Sequence, residues 1–324
     1  MIRAVIDQDI TPTDRLVEQL PDDWDVSVGI ESTEDEAIAT LEDATIVFVT
    51  SRVPLSPRVV AALDDLEIIA KLGTGLDSVA VDVARERGIE VTYTPGMNAQ
   101  SVAEHTVMLA LATARRLTQA RRLIENGQWR DDMPLGNRLL GSTVGIIGFG
   151  NVGKRVGSIL NGFNVDLLLS DPYVPEIDAE LVGGTNVSLE ELLERSDVVC
   201  VTAEHTEETR GLIGRAELER MQSSALLVNA ARGPIVAEAP LIDALADGTI
   251  AGAGMDVHQT EPLDPDSPLL EMDNVVLTPH VASMTMESRQ ETIDRLVTNV
   301  LSLRDGTAPA DRYLAPSDGS TLSE

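Results

Sequence analysis

A chain of 324 residues exceeds the roughly 250–300 residues at which a single core stops growing, and 43% hydrophobic content can fill two cores, so two domains are expected. Its 54 acidic against 24 basic residues give a formal net charge of −30, which argues against duplex nucleic acid and anionic membranes as partners. No run of about 18 or more apolar residues could cross a bilayer, and one cysteine, Cys200, excludes an intramolecular disulfide and a thiolate metal cluster. The amino terminus reads as an alternating strand, not a charged leader, so a cytoplasmic protein is expected. Lysine is confined to Lys71 and Lys154. Scattered carboxylates with arginine favoured over lysine point to salt adaptation, whose signature is a thermal midpoint that rises from low to molar KCl as self-repulsion is screened.

In chain order, Ala4–Ile6, Thr45–Val49, Glu67–Lys71 and Glu90–Tyr93 read as short strands, with Ser56–Leu63 and Val81–Arg87 helical between them. Gly88 sits at a helix carboxyl cap, and Pro95-Gly96 closes the next strand. Strands alternating with helices imply a parallel, doubly wound sheet. Ser101–Ala114 is apolar on nearly every face, so it is expected to lie in a core or a subunit contact and to form the hinge into a second domain. Strands then resume at Thr143–Ile147, Val165–Ser170, Val198–Thr202, Leu226–Asn229, Ile250–Met255 and Val275–Leu277, a six-stranded count. Cys200 reads as a buried strand cysteine. An amphipathic helix, Glu287–Arg304, is expected to return to the first domain. The resulting division is residues 1–99 plus 285–314, then 100–284, with a disordered tail at 315–324.

Gly148-Phe149-Gly150-Asn151-Val152-Gly153 follows an apolar strand and opens a helix expected near Lys154, which is the context a dinucleotide-binding turn requires. Gly148 permits the tight turn, Gly150 lets backbone approach a pyrophosphate, and Gly153 allows close packing of helix on strand. The phosphates would lie at the helix amino terminus. Asp171, ending the next strand, can accept hydrogen bonds from ribose hydroxyls and would repel a 2'-phosphate, which favours NAD over NADP.

Of four histidines, His105 lies in the apolar helix and reads as a core residue, while His205 and His258 follow strand ends. His280 follows the strand Asn274–Leu277 and Pro279, at the carboxyl end where open parallel sheets place ligands. Three further motifs, Asn229-Ala230-Ala231-Arg232-Gly233-Pro234-Ile235-Val236, Met255-Asp256-Val257 followed by Glu261-Pro262, and Thr278-Pro279-His280-Val281-Ala282, come in that order. With the Gly148 turn they resemble the D-isomer-specific 2-hydroxyacid dehydrogenase family, from about residue 45 to residue 305.

The resemblance implies two doubly wound α/β domains, a Rossmann NAD-binding domain and a flavodoxin-like substrate domain, and hydride transfer to or from C2 of a small 2-keto acid. It implies that Arg232 binds the substrate carboxylate, that His280 is the general acid and base, and that Glu261 hydrogen-bonds its imidazole. A neighbouring carboxylate stabilises an imidazolium, in keeping with that role. It also makes Leu72-Gly73-Thr74 a substrate loop whose amides meet the carboxylate, places Asp256 near the nicotinamide amide, and gives the helix at Val102–His105 a part in a homodimer. Asn98 matches as well. Arg52 keeps one of two arginines found in phosphate-handling members, the other position being Thr50. Ala203-Glu204-His205-Thr206 departs from the usual Pro-Leu-Thr pattern. Lys71 beside the substrate loop and Lys154 after the phosphate turn are candidate anion contacts. Oxidation of another small anion and an NAD(H)-sensing, corepressor-like binding protein are the alternative readings.

Overall fold

Apolar runs bounded by turn residues become strands in both halves of the chain. The computed structural model describes residues 1–316 and divides into two units, Met1–Asn98 with the segment from Met284 onward, and Ala99–Ser283.

In the first unit the strands are β1 (Arg3–Ile6), β2 (Asp25–Val28), β3 (Ile46–Val49), β4 (Ile68–Lys71) and β5 (Glu90–Tyr93), all parallel in the order β2-β1-β3-β4-β5. β3 and β4 are buried along their whole length, as unbroken apolar parallel strands covered on both faces should be. β2 carries no comparable signal because Asp-Val-Ser-Val lies at the sheet edge and pairs on one side alone. The helix Met286–Arg304 starts where the Thr285 hydroxyl accepts the Ser288 amide at 3.2 Å, a side-chain cap. It buries Ile293, Leu296, Val297 and Val300 in the cluster that holds Ile6, Phe48 and Ile68, so it does return to this unit. Burial of each such side chain is worth about 1.5–3 kcal/mol. The chain stays attached past the expected start of the tail: the Ala315 amide donates to Val91 O at 2.9 Å, and Arg85 reaches Pro316 O. The rest of that tail, 317–324, lies outside the described residues.

The second unit has seven parallel strands, not six: β6 (Thr143–Ile147), β7 (Asp166–Ser170), β8 (Gly184–Asn186), β9 (Val198–Val201), β10 (Leu226–Asn229), β11 (Gly252–Met255) and β12 (Val275–Leu277). The added strand is the edge tripeptide Gly-Thr-Asn, which has no apolar residue to announce it. In the order β12-β11-β10-β9-β6-β7-β8 the winding reverses between β6 and β9, and open sheets bind ligands at the carboxyl ends beside such a reversal. The helix Ala99–Ala114 packs on β10 and β11, burying Ala103, Leu109, Ala110 and Thr113 while Met108 stays 40% exposed. Cys200 is buried, and burial pushes its thiol up to about 12, so it is a packing residue with no thiolate chemistry at neutral pH. Among the described residues no helix is long and apolar enough to cross a membrane, and no cluster of potential metal ligands is present.

Candidate active site

The turn after β6 is shaped for a close approach by a ligand. Gly148 has φ +85°, and a Cβ there would lie 2.4 Å from Ala203 Cα. A Cβ on Gly153 would lie 2.3 Å from Gly148 O, so both positions exclude any side chain. The Thr202 hydroxyl donates to Gly148 O at 2.5 Å and ties the turn to the end of β9. Gly150 is the amino-terminal cap of the helix Asn151–Leu160, which begins three residues before the expected Lys154. Asn151 and Val152 therefore lie in its first turn, where unpaired amides favour an anion. Asp171, just past β7, accepts the Phe149 amide at 2.7 Å and the Tyr173 amide at 2.9 Å. Its carboxylate both braces the turn and retains acceptor capacity. Lys154 is paired with Asp178 at 2.8 Å, so its charge is already engaged. The glycine cradle, the helix start and the carboxylate beyond the second strand together fit a dinucleotide.

Three neighbouring strands, β10, β11 and β12, deliver the proton-handling groups at their carboxyl ends. After β10, Asn229 is fully buried and closes its loop from both sides, accepting the Ala231 amide at 3.0 Å and donating to Arg232 O at 3.0 Å. A Cβ on Gly233 would fall 1.8 Å from His258 O, so this loop and the one after β11 touch through a glycine. Arg232 is half-buried, with one guanidinium nitrogen donating to Ala231 O at 2.8 Å. After β11, the Glu261 carboxylate accepts the His258 amide at 3.0 Å through Oε1 and meets His280 Nδ1 at 2.7 Å through Oε2. A carboxylate at that distance makes Nδ1 the protonated nitrogen, which leaves Nε2 to face a reactant. Burial raises the Glu261 pKa, but the His280 contact and the His258 amide outweigh it and hold it below the ordinary value.

His280 itself has φ +55°, an uncommon conformation for a side-chain-bearing residue, and Asp256 is what surrounds and holds it. The Asp256 carbonyl accepts the His280 amide at 2.7 Å. Its carboxylate accepts the Val281 and Ala282 amides, each at 2.9 Å, and the Thr278 hydroxyl at 2.5 Å. His105 Nε2 then donates to the Thr278 oxygen at 3.0 Å and lies 3.4 Å from Asp256. Burial pushes Asp256 up, but these hydrogen bonds prevail and bring it down to about 2. Asp256 is 0% exposed, and its carboxylate lies behind the His280 loop, which it positions through the Val281 and Ala282 amides. His258 is buried with Nε2 3.2 Å from Thr278 O, and His205 Nε2 is buried with no hydrogen bond among the described residues. The contributions of Thr278 and His105 were missed in sequence. The only signal was a histidine in an otherwise apolar helix, and it gave no hint of the residue it would meet.

In the first unit, two of the three substrate-loop amides are already engaged. Leu72 N–H donates to Val49 O at 2.8 Å and Gly73 N–H to Thr94 Oγ1 at 2.9 Å. Thr74 keeps its amide without such a bond among the described residues, and its hydroxyl donates to Asn98 Oδ1 at 3.1 Å. Lys71 is buried, with Nζ donating to Leu72 O at 2.8 Å. Arg52 faces inward: Nη2 lies 2.5 Å from Asp7 Oδ1 and donates to Ile30 O, while Nε lies 3.1 Å from Asp9.

Residues 107–282 match the family model described as the NAD binding domain of the D-isomer specific 2-hydroxyacid dehydrogenases. A glyoxylate reductase of Korarchaeum cryptofilum is 38% identical over 271 residues, covering 82% of this chain and 81% of that protein. A D-3-phosphoglycerate dehydrogenase of Archaeoglobus fulgidus is 36% identical over 293 residues, 90% of this chain, which spans 56% of that protein's length. Among solved structures, an NADPH-dependent glyoxylate/hydroxypyruvate reductase from Sinorhizobium meliloti superposes with a TM-score of 0.83 at 31% identity, covering 97% of this chain and 98% of its own.

Proposed function

The chain belongs to the D-isomer specific 2-hydroxyacid dehydrogenase family, and on that premise we propose that it catalyses reversible hydride transfer between NADH and C2 of a small 2-keto acid. The observation that carries the reading is the Glu261–His280 contact of 2.7 Å, with Arg232 on the next strand's loop. The bound nicotinamide supplies the hydride in reduction and accepts it in oxidation. Arg232 pairs with the substrate carboxylate and fixes its plane, a bidentate task suited to a guanidinium. His280 donates a proton from Nε2 to the oxygen at C2 and, in the oxidative direction, takes it back. Glu261 holds Nδ1 and balances the imidazolium charge. The family pattern carries the D configuration and the Thr74 amide as a further carboxylate contact. Gly148, Gly150, Asn151, Val152 and Gly153 would hold the pyrophosphate. Asp171 favours NAD by accepting ribose hydroxyls and repelling a 2'-phosphate.

A homodimer through the helix Ala99–Ala114 is part of the same proposal. Met108 and Leu117, 40% and 55% exposed, line an apolar groove with Val107, Leu111, Ile159 and Phe163, and a second copy of that helix would cover it. Light scattering should return about twice the 34.7 kDa chain mass, and a monomer would remove this part.

The testing experiment is the loss of NADH absorbance in molar KCl with glyoxylate, hydroxypyruvate, pyruvate, branched 2-keto acids and phosphohydroxypyruvate. Turnover on at least one, with NADPH less efficient than NADH, is expected. NADH binding without turnover on any would favour a sensing role, and equal efficiency with NADPH would refute the Asp171 argument.

A further inference from the structure

Glycines in β11 bring the histidine of the apolar helix to one particular carboxylate. β11 is Gly252-Ala253-Gly254-Met255, and residues 252, 254 and 256 fall on one face of an extended chain. A Cβ on Gly252 would lie 3.2 Å from Thr113 Cγ2, and one on Gly254 would lie 2.9 Å from Thr113 Oγ1 and 3.1 Å from Leu109 Cβ. The helix Ala99–Ala114 therefore rests directly on the backbone of this strand. His105, Leu109 and Thr113 are spaced by four, so they share the helix face turned to β11. Past the two glycines, the first side chain on this strand face is Asp256, and the helix residue that meets it is His105, with Nε2 3.4 Å from Oδ1.

Thr278 completes the contact. Its hydroxyl gives its one hydrogen to Asp256 Oδ1 at 2.5 Å, so the donor in the 3.0 Å contact with His105 is the imidazole Nε2–H. Asp256 carries the constraint onward. Its two oxygens accept the amides of Val281 and Ala282, the residues that follow His280, and its carbonyl accepts the His280 amide. Burial raises the Asp256 carboxyl, and of the hydrogen bonds that bring it back down the one from His105 contributes most. With 16% of its side chain exposed, His105 makes this contact largely out of water, where a hydrogen bond left unmade is costly.

We propose that His105, which the sequence presents as a core residue, is a positioning residue for the reaction at His280: with Thr278 it fixes the Asp256 carboxylate, which fixes the loop from which the imidazole moves its proton. This deepens the hydride-transfer reading and rests on it. His105 is bonded to Thr278 and Asp256 and not to His280, so its loss leaves the acid in the molecule and loosens the geometry in which it works. A misplacement of about 1 Å by a change remote from the chemistry costs on the order of 100-fold in rate. The effect belongs to kcat, because the groups that hold substrate and dinucleotide are braced by other bonds. Asn229 closes the Arg232 loop, and Thr202 ties down Gly148.

The test compares wild type with His105→Leu, which fills the space without a donor, and His105→Gln, whose side-chain amide nitrogen can donate in place of Nε2. Steady-state kinetics with glyoxylate are measured beside amide hydrogen exchange, followed by NMR on the full, cofactor-free chain. His105→Leu should lower kcat by roughly 10- to 100-fold while the glyoxylate KM and the NADH affinity hold. Its Val281 and Ala282 amides should exchange roughly tenfold faster or more, with the amides of β10 unchanged. His105→Gln should recover most of both losses. Unchanged kcat and unchanged exchange in His105→Leu would overturn the proposal. So would a loss carried by KM, or one that His105→Gln does not recover, or faster exchange that spreads to β10, which is the mark of a packing residue. If the wild type turns over no 2-keto acid, the reading of function fails by itself, and the exchange of Val281 and Ala282 still decides whether His105 holds the loop.

Discussion

His280→Ala is expected to lower kcat for 2-keto acid reduction by roughly 100- to 10,000-fold, the span that a positioned general acid contributes, while NADH affinity holds. The expectation follows from where the protons sit. Glu261 engages Nδ1 at 2.7 Å, so the imidazole has one ring nitrogen directed away from its support and none redundant. His258 cannot substitute, because it is buried with Nε2 turned to the Thr278 carbonyl. His105 cannot either, because its Nε2 is committed to Thr278 and Asp256. Stopped-flow measurement of NADH oxidation under single-turnover conditions checks this, and a loss smaller than tenfold would move the acid elsewhere.

Asp256→Asn should be the most damaging conservative change outside the reacting groups. Asp256 Oδ1 and Oδ2 each accept from a backbone amide, and Thr278 and His105 add to the load. An asparagine must turn its NH2 toward one of those donors, leaving buried polar groups opposed. Breaking a buried, charge-assisted set costs about 3–5 kcal/mol, which lowers the unfolding midpoint of a unit this size by very roughly 6–20 °C. The same variant loses the acceptor of either the Val281 or the Ala282 amide, which brace the His280 loop at its φ of +55°, so kcat should fall as well. The pH dependence has a definite sign. Hydrogen bonds bring the folded Asp256 carboxyl down to about 2 from the ordinary aspartate value near 3.8, so its stabilisation is nearly complete above about pH 4 and is lost as pH falls through 2. The wild-type advantage over Asp256→Asn in unfolding free energy should therefore be full at pH 7 and narrow by on the order of 2 kcal/mol between pH 4 and pH 2. A constant advantage across that interval would contradict the ionised, hydrogen-bonded Asp256.

What could be read in sequence was whatever local order carries. Gly148, Gly150 and Gly153 stood between an apolar strand and a helix, and the turn they form has that shape because side chains cannot fit. His280, Glu261 and Arg232 were found from the order of their motifs, and parallel pairing of β10, β11 and β12 sets their loops at one edge. Edge strands β2 and β8 were invisible because pairing on one side needs no apolar run. The helix start at Asn151 was missed because its cap is a glycine, which offers no side-chain sign. Long-range hydrogen bonding was the larger gap. Nothing near Asp256 says that its carboxylate turns inward to Thr278, and nothing near Leu72 or Gly73 says that Val49 and Thr94 already hold their amides.

The most direct test of the central claim is to reduce glyoxylate with NADH deuterated at both C4 positions and weigh the product by mass spectrometry. One deuterium at C2 of the product, formed by wild type and not by His280→Ala, is the predicted result. A product without deuterium, or equal labelling by the variant, would contradict direct hydride transfer to C2 with His280 as its acid.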